Sequence, residues 1–169
     1  MTTPPSHDGF RVCLFDLAGQ RFGLRLDSVS EVVPMAALSR PPSMPSILEG
    51  FLNLRGAAVP VVRTAALLGL PQDPLDLHTT LVIARARELP LALLVDRVAG
   101  IISLRPEDLL PIAASDSFNG CVDGRLTMAE RTAHVLSLDR LLLEKERQIL
   151  AQFHAAEDQR LRQLDEARA

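Results

Sequence analysis

Gly50-Phe-Leu-Asn-Leu-Arg-Gly-Ala-Ala-Val-Pro-Val-Val62 decides how the rest of this chain reads. Apolar residues flank Arg55-Gly56 on both sides, so the stretch reads as two short strands joined at a glycine turn. Arg55 stands at a strand end beside that glycine, where a tight turn exposes it. The following residues, Arg63–Leu68, suit one or two helical turns, with Gly69 as the stop.

Upstream, Phe10–Leu17 and Gln20–Leu26 flank Ala18-Gly19 at hairpin spacing, and Phe22, Leu24 and Leu26 alternate as a half-buried strand does. Asp27 is placed to cap a short helical turn running through Val32 and stopped by Pro34. Pro41, Pro42 and Pro45 mark a loop, and Pro71–Leu77 marks a second one. From Thr80 the pattern begins again, with Thr80–Arg85 and Leu89–Val95 as a new strand pair. Phe22-Gly-Leu-Arg-Leu-Asp-Ser-Val-Ser-Glu-Val-Val33 aligns without gaps on Leu91-Ala-Leu-Leu-Val-Asp-Arg-Val-Ala-Gly-Ile-Ile102. Gly50-Phe-Leu is echoed by Gly120-Cys-Val, and the leucine pair Leu67-Leu68 by Leu141-Leu142. The order strand pair, capped turn, proline loop, strand pair, leucine turn thus occurs twice. It implies two similar small β units dividing near 71–79. Short strands with turn residues between them favour compact barrels, which remove exposed edges.

Residues 1–9 read as a flexible leader. From Leu138 to Ala169 there is no Gly or Pro, and Leu138, Leu141, Leu142, Ile149, Leu150 and Phe153 keep a helical spacing. Asp158, Arg162 and Glu166 are each four apart, as on an exposed helix face. Residues 138–169 are therefore expected to be a helix docked at its start and solvated toward its end.

The 169 residues carry a net charge of −3, with 47% hydrophobic and 23% charged residues, a globular composition. Nothing here attracts a polyanion, and with no Trp and no Tyr there is no stacking platform for single-stranded nucleic acid. Cys13 and Cys121 fit a reduced, buried pair rather than a disulfide framework. Neither a signal peptide nor an apolar run long enough to span a bilayer is visible, so a soluble, cytoplasmic protein without membrane insertion is expected. His7, His78, His134 and His154 are scattered, and none has a neighbour at metal-ligand spacing. No nucleophile elbow, phosphate loop or zinc-protease motif occurs. Glu107-Asp108 and Asp116 lie in loop sequence. No catalytic residue, metal or cofactor is expected.

What remains suits association. Glu31 and Arg55 are candidates for an ion pair, and most of Leu81, Val82, Leu91, Leu93 and Val98 should fill a core, some lining a cleft. Asn53-Leu-Arg-Gly56 with Val59-Pro60-Val61, preceded by Phe22-Gly-Leu and Val29-Ser-Glu31 and followed by Leu93-Leu-Val-Asp-Arg-Val98, resembles the CheW family of chemotaxis coupling proteins over roughly Phe10 to Leu142. The resemblance implies a mainly β fold of two SH3-like five-stranded barrels within residues 10–137, followed by the C-terminal helix. It implies an adaptor between the regulatory domain of a CheA-type histidine kinase and the cytoplasmic tips of methyl-accepting chemoreceptors, recruited to the inner membrane face. Carried over by position, Val29, Glu31 and Arg55 match kinase-contacting residues. Arg55, Leu81, Val82, Ala92, Val98 and Ile101 match receptor-binding ones.

The chain departs from the family pattern at Arg63-Thr64-Ala65, where Asp-Leu-Arg is usual, at Ala92 in place of glycine, and at Gly100 in place of an acidic residue. Two alternatives stay open: a CheW-like competitor that serves a non-motility pathway, and a small β-barrel nucleic-acid binder.

Overall fold

A computed structural model describes residues 9–86, 89–113, 120–129, 131–142 and 144–168. The leader lies outside the described residues apart from Gly9, as does Asp116. Ten strands form two five-stranded sheets. They are β1 Phe10–Leu17, β2 Gln20–Arg25, β3 Val29–Pro34, β4 Leu48–Leu54, β5 Ala57–Val62, β6 Thr80–Ala86, β7 Leu89–Val95, β8 Arg97–Leu104, β9 Val122–Thr127 and β10 Thr132–Leu136. One sheet has the order β8-β1-β2-β10-β9, the other β3-β6-β7-β5-β4. The fold is mainly β, as the sequence implied.

Several readings need correction. The segment after Asp27 is not a helical turn. Only Leu26–Ser28 forms a 3₁₀ turn, without a side-chain cap, and Val29–Pro34 then runs as β3. Its β-branched residues (Val29, Val32, Val33) favour extended backbone. The same holds after Asp96, where β8 follows at once. These two strands also overturn the division near 71–79. β3 pairs with β6 and β8 pairs with β1, so each sheet joins the first hairpin of one repeat to the last three strands of the other.

The repeat itself is close. Cys13 faces Leu24 as Val82 faces Leu93, and Leu14 faces Gly23 as Ile83 faces Ala92. The bulge that skips Ser30 in β3 recurs in β8, where Ala99 is skipped. Glu49 and Asp123 are skipped in the same way in β4 and β9. The counterpart of Gly50 is therefore Gly124, not Gly120. A Cβ on Gly50 would lie 2.9 Å from the Leu38 Cβ, and one on Gly124 would lie 2.6 Å from the Leu109 Cγ. Helix α1 (Thr64–Leu67) follows β5, and α2 (Leu138–Leu141) follows β10.

Three apolar clusters result. Phe15, Leu17, Phe22 and Leu24 from one sheet meet Val82, Leu91, Leu93 and Val95 from the other in a shared core. Leu52, Val59, Leu81, Ile83, Ala92 and Leu94 fill the second sheet's own face, while Val12, Leu14, Leu126 and Val135 fill the first's. Both faces of β1, β6 and β7 are thus covered, which is why those strands read as nearly continuous apolar runs. Burying a Phe such as Phe15 or Phe22 is worth about 1.5–3 kcal/mol.

The C-terminal segment is two helices rather than one. Leu142 is extended at φ −102°, ψ 128°, and α3 (Glu144–Arg168) starts after it. Leu150 is fully buried, and Phe153 and Leu161 pack on the shared core, so docking continues well past the start of the helix.

Candidate partner-binding surface

Arg55 (φ 51°) and Gly56 (φ 87°) are both left-handed, the two-residue hairpin turn that matches strand twist. The Asn53 Oδ1 accepts the Gly56 N–H at 2.9 Å and holds the turn from within. That role of the signature asparagine was not read from the sequence, although Asn two residues before an Arg-Gly turn is a usable signal. The turn projects the Arg55 guanidinium to Glu31 on β3. One nitrogen donates to Oε2 at 3.5 Å, and the other makes a short contact with Oε1. The hydrogen bond to Glu31 pushes the Arg55 pKa still higher than usual, so the guanidinium is charged throughout the accessible range. Arg55's side chain is 73% exposed and Glu31's 30%, so this planar pair is presented to solvent. β3 and β4 are opposite ends of the sheet order, so the pair ties the two ends together, in agreement with a curled, barrel-like sheet.

Val29 is half-buried against the shared core at the start of β3. Val32 is 43% exposed on the same strand. The receptor-binding set fares differently. Leu81, Val82 and Ala92 are 0% exposed and belong to the interior clusters, because β6 and β7 are the central strands with both faces covered. They cannot line a surface groove in this structure, which corrects the expectation. Val98 is half-buried against the shared core, and Ile101 is 57% exposed. Both lie on β8, the edge of the other sheet.

Arg63, the charge departure after Pro60, is used internally. Its Nε donates to the Glu49 carboxylate at 2.7 Å, and Arg40 approaches the same carboxylate at 3.2 Å. The reversal thus answers the acidic residue at the β4 bulge. Asp16, which the sequence reading passed over, is held by Arg21 at 2.8 Å, with Arg97 and Arg131 nearby. Cys13 and Cys121 are buried thiols that form no disulfide, the Cys121 Sγ donating to the Arg140 carbonyl at 3.3 Å, and burial pushes both thiols up. Among the described residues, no group of three or more His, Cys, Asp or Glu side chains is placed to hold a metal ion. No helix there is long and apolar enough to cross a membrane.

The model of the CheW-like domain matches residues 11–146. The chain belongs to the CheW family. The probable chemotaxis protein CheW of Rhizobium etli is 31% identical over 135 residues, covering 78% of this chain and 86% of that protein. CheW of Thermotoga maritima is 27% identical, covering 80% and 89%. CheW of Rhizobium meliloti is 27% identical, covering 88% and 99%. Among solved structures, the scaffolding protein TtCheW of Thermoanaerobacter tengcongensis superposes with a TM-score of 0.75 at 22% identity, over 85% of this chain and 94% of that one. The fold is therefore the CheW fold, and the Asn53–Val61 signature sits on the β4–β5 hairpin, whose turn is exposed and whose strands are largely buried.

Proposed function

We propose that the chain is a non-enzymatic adaptor that couples a CheA-type histidine kinase to methyl-accepting chemoreceptors in a bacterial chemosensory array. The observation that carries this reading is the exposed Glu31–Arg55 pair, built by the same hairpin that bears the family's most specific residues. Val29, Glu31 and Arg55 face the kinase regulatory domain. Val98 and Ile101, with Arg55, serve the receptor tip, an amphipathic helical hairpin that offers apolar side chains to an apolar surface. Val82 belongs to the core cluster on which Val98 packs, whereas Leu81 and Ala92 lie in the separate cluster of the other sheet. The protein is cytoplasmic and reaches the inner membrane face through its receptors.

Calorimetric titration of the full chain with a CheA-type regulatory domain, and then with a receptor-tip fragment, tests the reading. Saturable binding of both, with the two able to bind together, is the expected result. Binding of the kinase domain alone, with receptor tips left unbound, would replace the coupling adaptor by a competitor for kinase sites.

A further inference from the structure

The two sheets differ at one place that the repeat makes visible. In the first sheet β10 lies parallel to β2 through Ala133–Arg21, His134–Phe22 and Val135–Gly23. In the second the matching ladder between β5 and β7 keeps only Val61–Ala92 and Val62–Leu93. Pro60 stands where His134 does and Pro90 where Arg21 does, and neither has an N–H to give. The first half of β5 is left with an open edge, and α3 closes it. The Asp158 Oδ1 accepts the Ala58 N–H at 3.1 Å. One residue earlier, the buried Glu157 carboxylate accepts the Ser39 hydroxyl at 3.3 Å, and Arg160 donates to the Ser39 Oγ at 2.9 Å. Ser39 is bridged to Phe51 of β4 by backbone bonds of 2.8 and 2.9 Å. The helix therefore grips both strands of the hairpin.

That hairpin carries Arg55. Ala58 lies opposite Asn53, Asn53 holds Gly56, and Gly56 follows Arg55, whose guanidinium reaches Glu31. An exposed ion pair contributes too little to fix its own geometry, and a non-glycine residue at positive φ persists only where its surroundings hold it. We infer that Asp158, supported by Glu157, is a positioning residue for Arg55, so that docking of α3 sets the orientation of the Glu31–Arg55 pair. The inference deepens the adaptor reading and rests on it for its consequence in kinase binding. The helix is the part of the chain farthest from the signature in sequence, yet it is joined to it by unbroken contacts.

The experiment uses the full chain with Asp158→Ala, Asp158→Asn, Ser39→Ala and, as a control for the Asp158–Arg162 pair at 3.3 Å, Arg162→Ala. Asp158→Ala should speed amide exchange at Ala58 by about tenfold. It should also move the Arg55 Nε–H resonance toward its position in Glu31→Gln, and weaken binding of a CheA-type regulatory domain by about threefold. Asp158→Asn keeps the accepting oxygen and should recover most of all three, while Ser39→Ala should move the Arg55 resonance in the same direction. Arg162→Ala should leave Ala58 exchange unchanged. Accelerated exchange at Ala58 with an unmoved Arg55 resonance would overturn the inference. If the wild-type chain does not bind the kinase domain at all, the adaptor reading fails, and the positioning role still stands or falls on the Arg55 resonance.

Discussion

The two repeats of this chain share register, bulges and strand order, yet among the described residues only the first carries the polar clamp. Glu31 on β3 meets Arg55 on the β4–β5 turn. Their counterparts in the second repeat are Gly100 and Ala129. Gly100 has φ +140°, a conformation that L side chains rarely adopt, so a carboxylate-bearing residue on this backbone would be strained. In its place β8 offers the exposed Ile101, which matches Val32 on β3. The repeated scaffold thus presents an ion pair at one strand edge and, at the matching part of the other, the exposed Ile101. The first suits a partner read by charge and geometry, the second one read by burial.

The largest effect should come from separating what the sequence order suggests could be separated. Each sheet takes strands from both sides of the 71–79 segment, and Phe15 and Phe22 share a cluster with Leu91 and Leu93. Chain cleavage within that segment should leave a folded, non-covalent complex, whereas each isolated fragment should show no cooperative unfolding by circular dichroism. A fragment that unfolds cooperatively alone would show that the exchanged strands are not needed.

Next in size are the paired bulge glycines. Gly50→Ala and Gly124→Ala each bring a methyl within 3 Å of a leucine side chain and a backbone oxygen. Each should lower stability by about 1–3 kcal/mol in urea titrations, as overpacking does. Similar losses at the two sites would sharpen the equivalence of the repeats. A neutral result at one alone would break it.

Much of this architecture was legible in the sequence, for a physical reason. Strands with both faces buried read as apolar runs, so Leu89–Val95 and Thr80–Arg85 were found within a residue of their ends. The gapless match of Phe22–Val33 with Leu91–Ile102 already contained the repeat. What could not be read was the exchange of strands. Local pattern says that Val29–Val33 is apolar but not whose edge it joins, and Asp27 offered a plausible cap that the structure does not use. The Glu31–Arg55 pair was legible because a turn fixes where Arg55 points. The burial of Leu81, Val82 and Ala92 was not, since a groove lining and a core interior have the same composition. The grip of α3 was missed because it is polar. Carboxylates on an open strand edge leave no apolar stripe to find.

A smaller effect contrasts two carboxylates joined by the Asp96 N–H donating to the Asp16 carbonyl at 3.0 Å. Burial works to raise the pKa of Asp16, but its hydrogen bond from Arg21 and the charges of Arg21, Arg97 and Arg131 carry it below the ordinary 3.8. Its contribution is present above that value and lost as pH falls through the depressed folded pKa. Asp96 is the reverse. Burial, with Asp73 and Asp76 nearby, raises it above 3.8 against the Ala18 N–H that it accepts at 2.8 Å. Its contribution is present below 3.8 and lost as pH rises through the raised folded pKa. Urea midpoints between about pH 3 and pH 7 should show Asp96→Asn flattening the loss above 3.8 and Asp16→Asn removing the loss below it. Identical pH profiles for both variants would mean that neither environment is as described.

The smallest stability effect, and the sharpest functional one, belongs to the clamp. Arg55 is largely exposed, and alanine would inherit the same left-handed backbone, so Arg55→Ala should leave the melting temperature at its wild-type value. On the adaptor reading proposed above, the same variant should weaken binding of a CheA-type regulatory domain by about tenfold, through loss of a planar two-point contact. Exchanging the charges, with Glu31→Arg and Arg55→Glu in one chain, should restore part of that loss if the pair orients β3, and none of it if the kinase reads the Arg55 charge directly. Ala129→Arg completes the comparison. It places a guanidinium on the counterpart turn, in a repeat that carries Gly100 where the first carries Glu31, and should change neither melting nor kinase binding. An effect of Ala129→Arg equal to that of Arg55→Ala would mean that the kinase reads both strand edges alike, and the division of labour between the repeats would then be wrong.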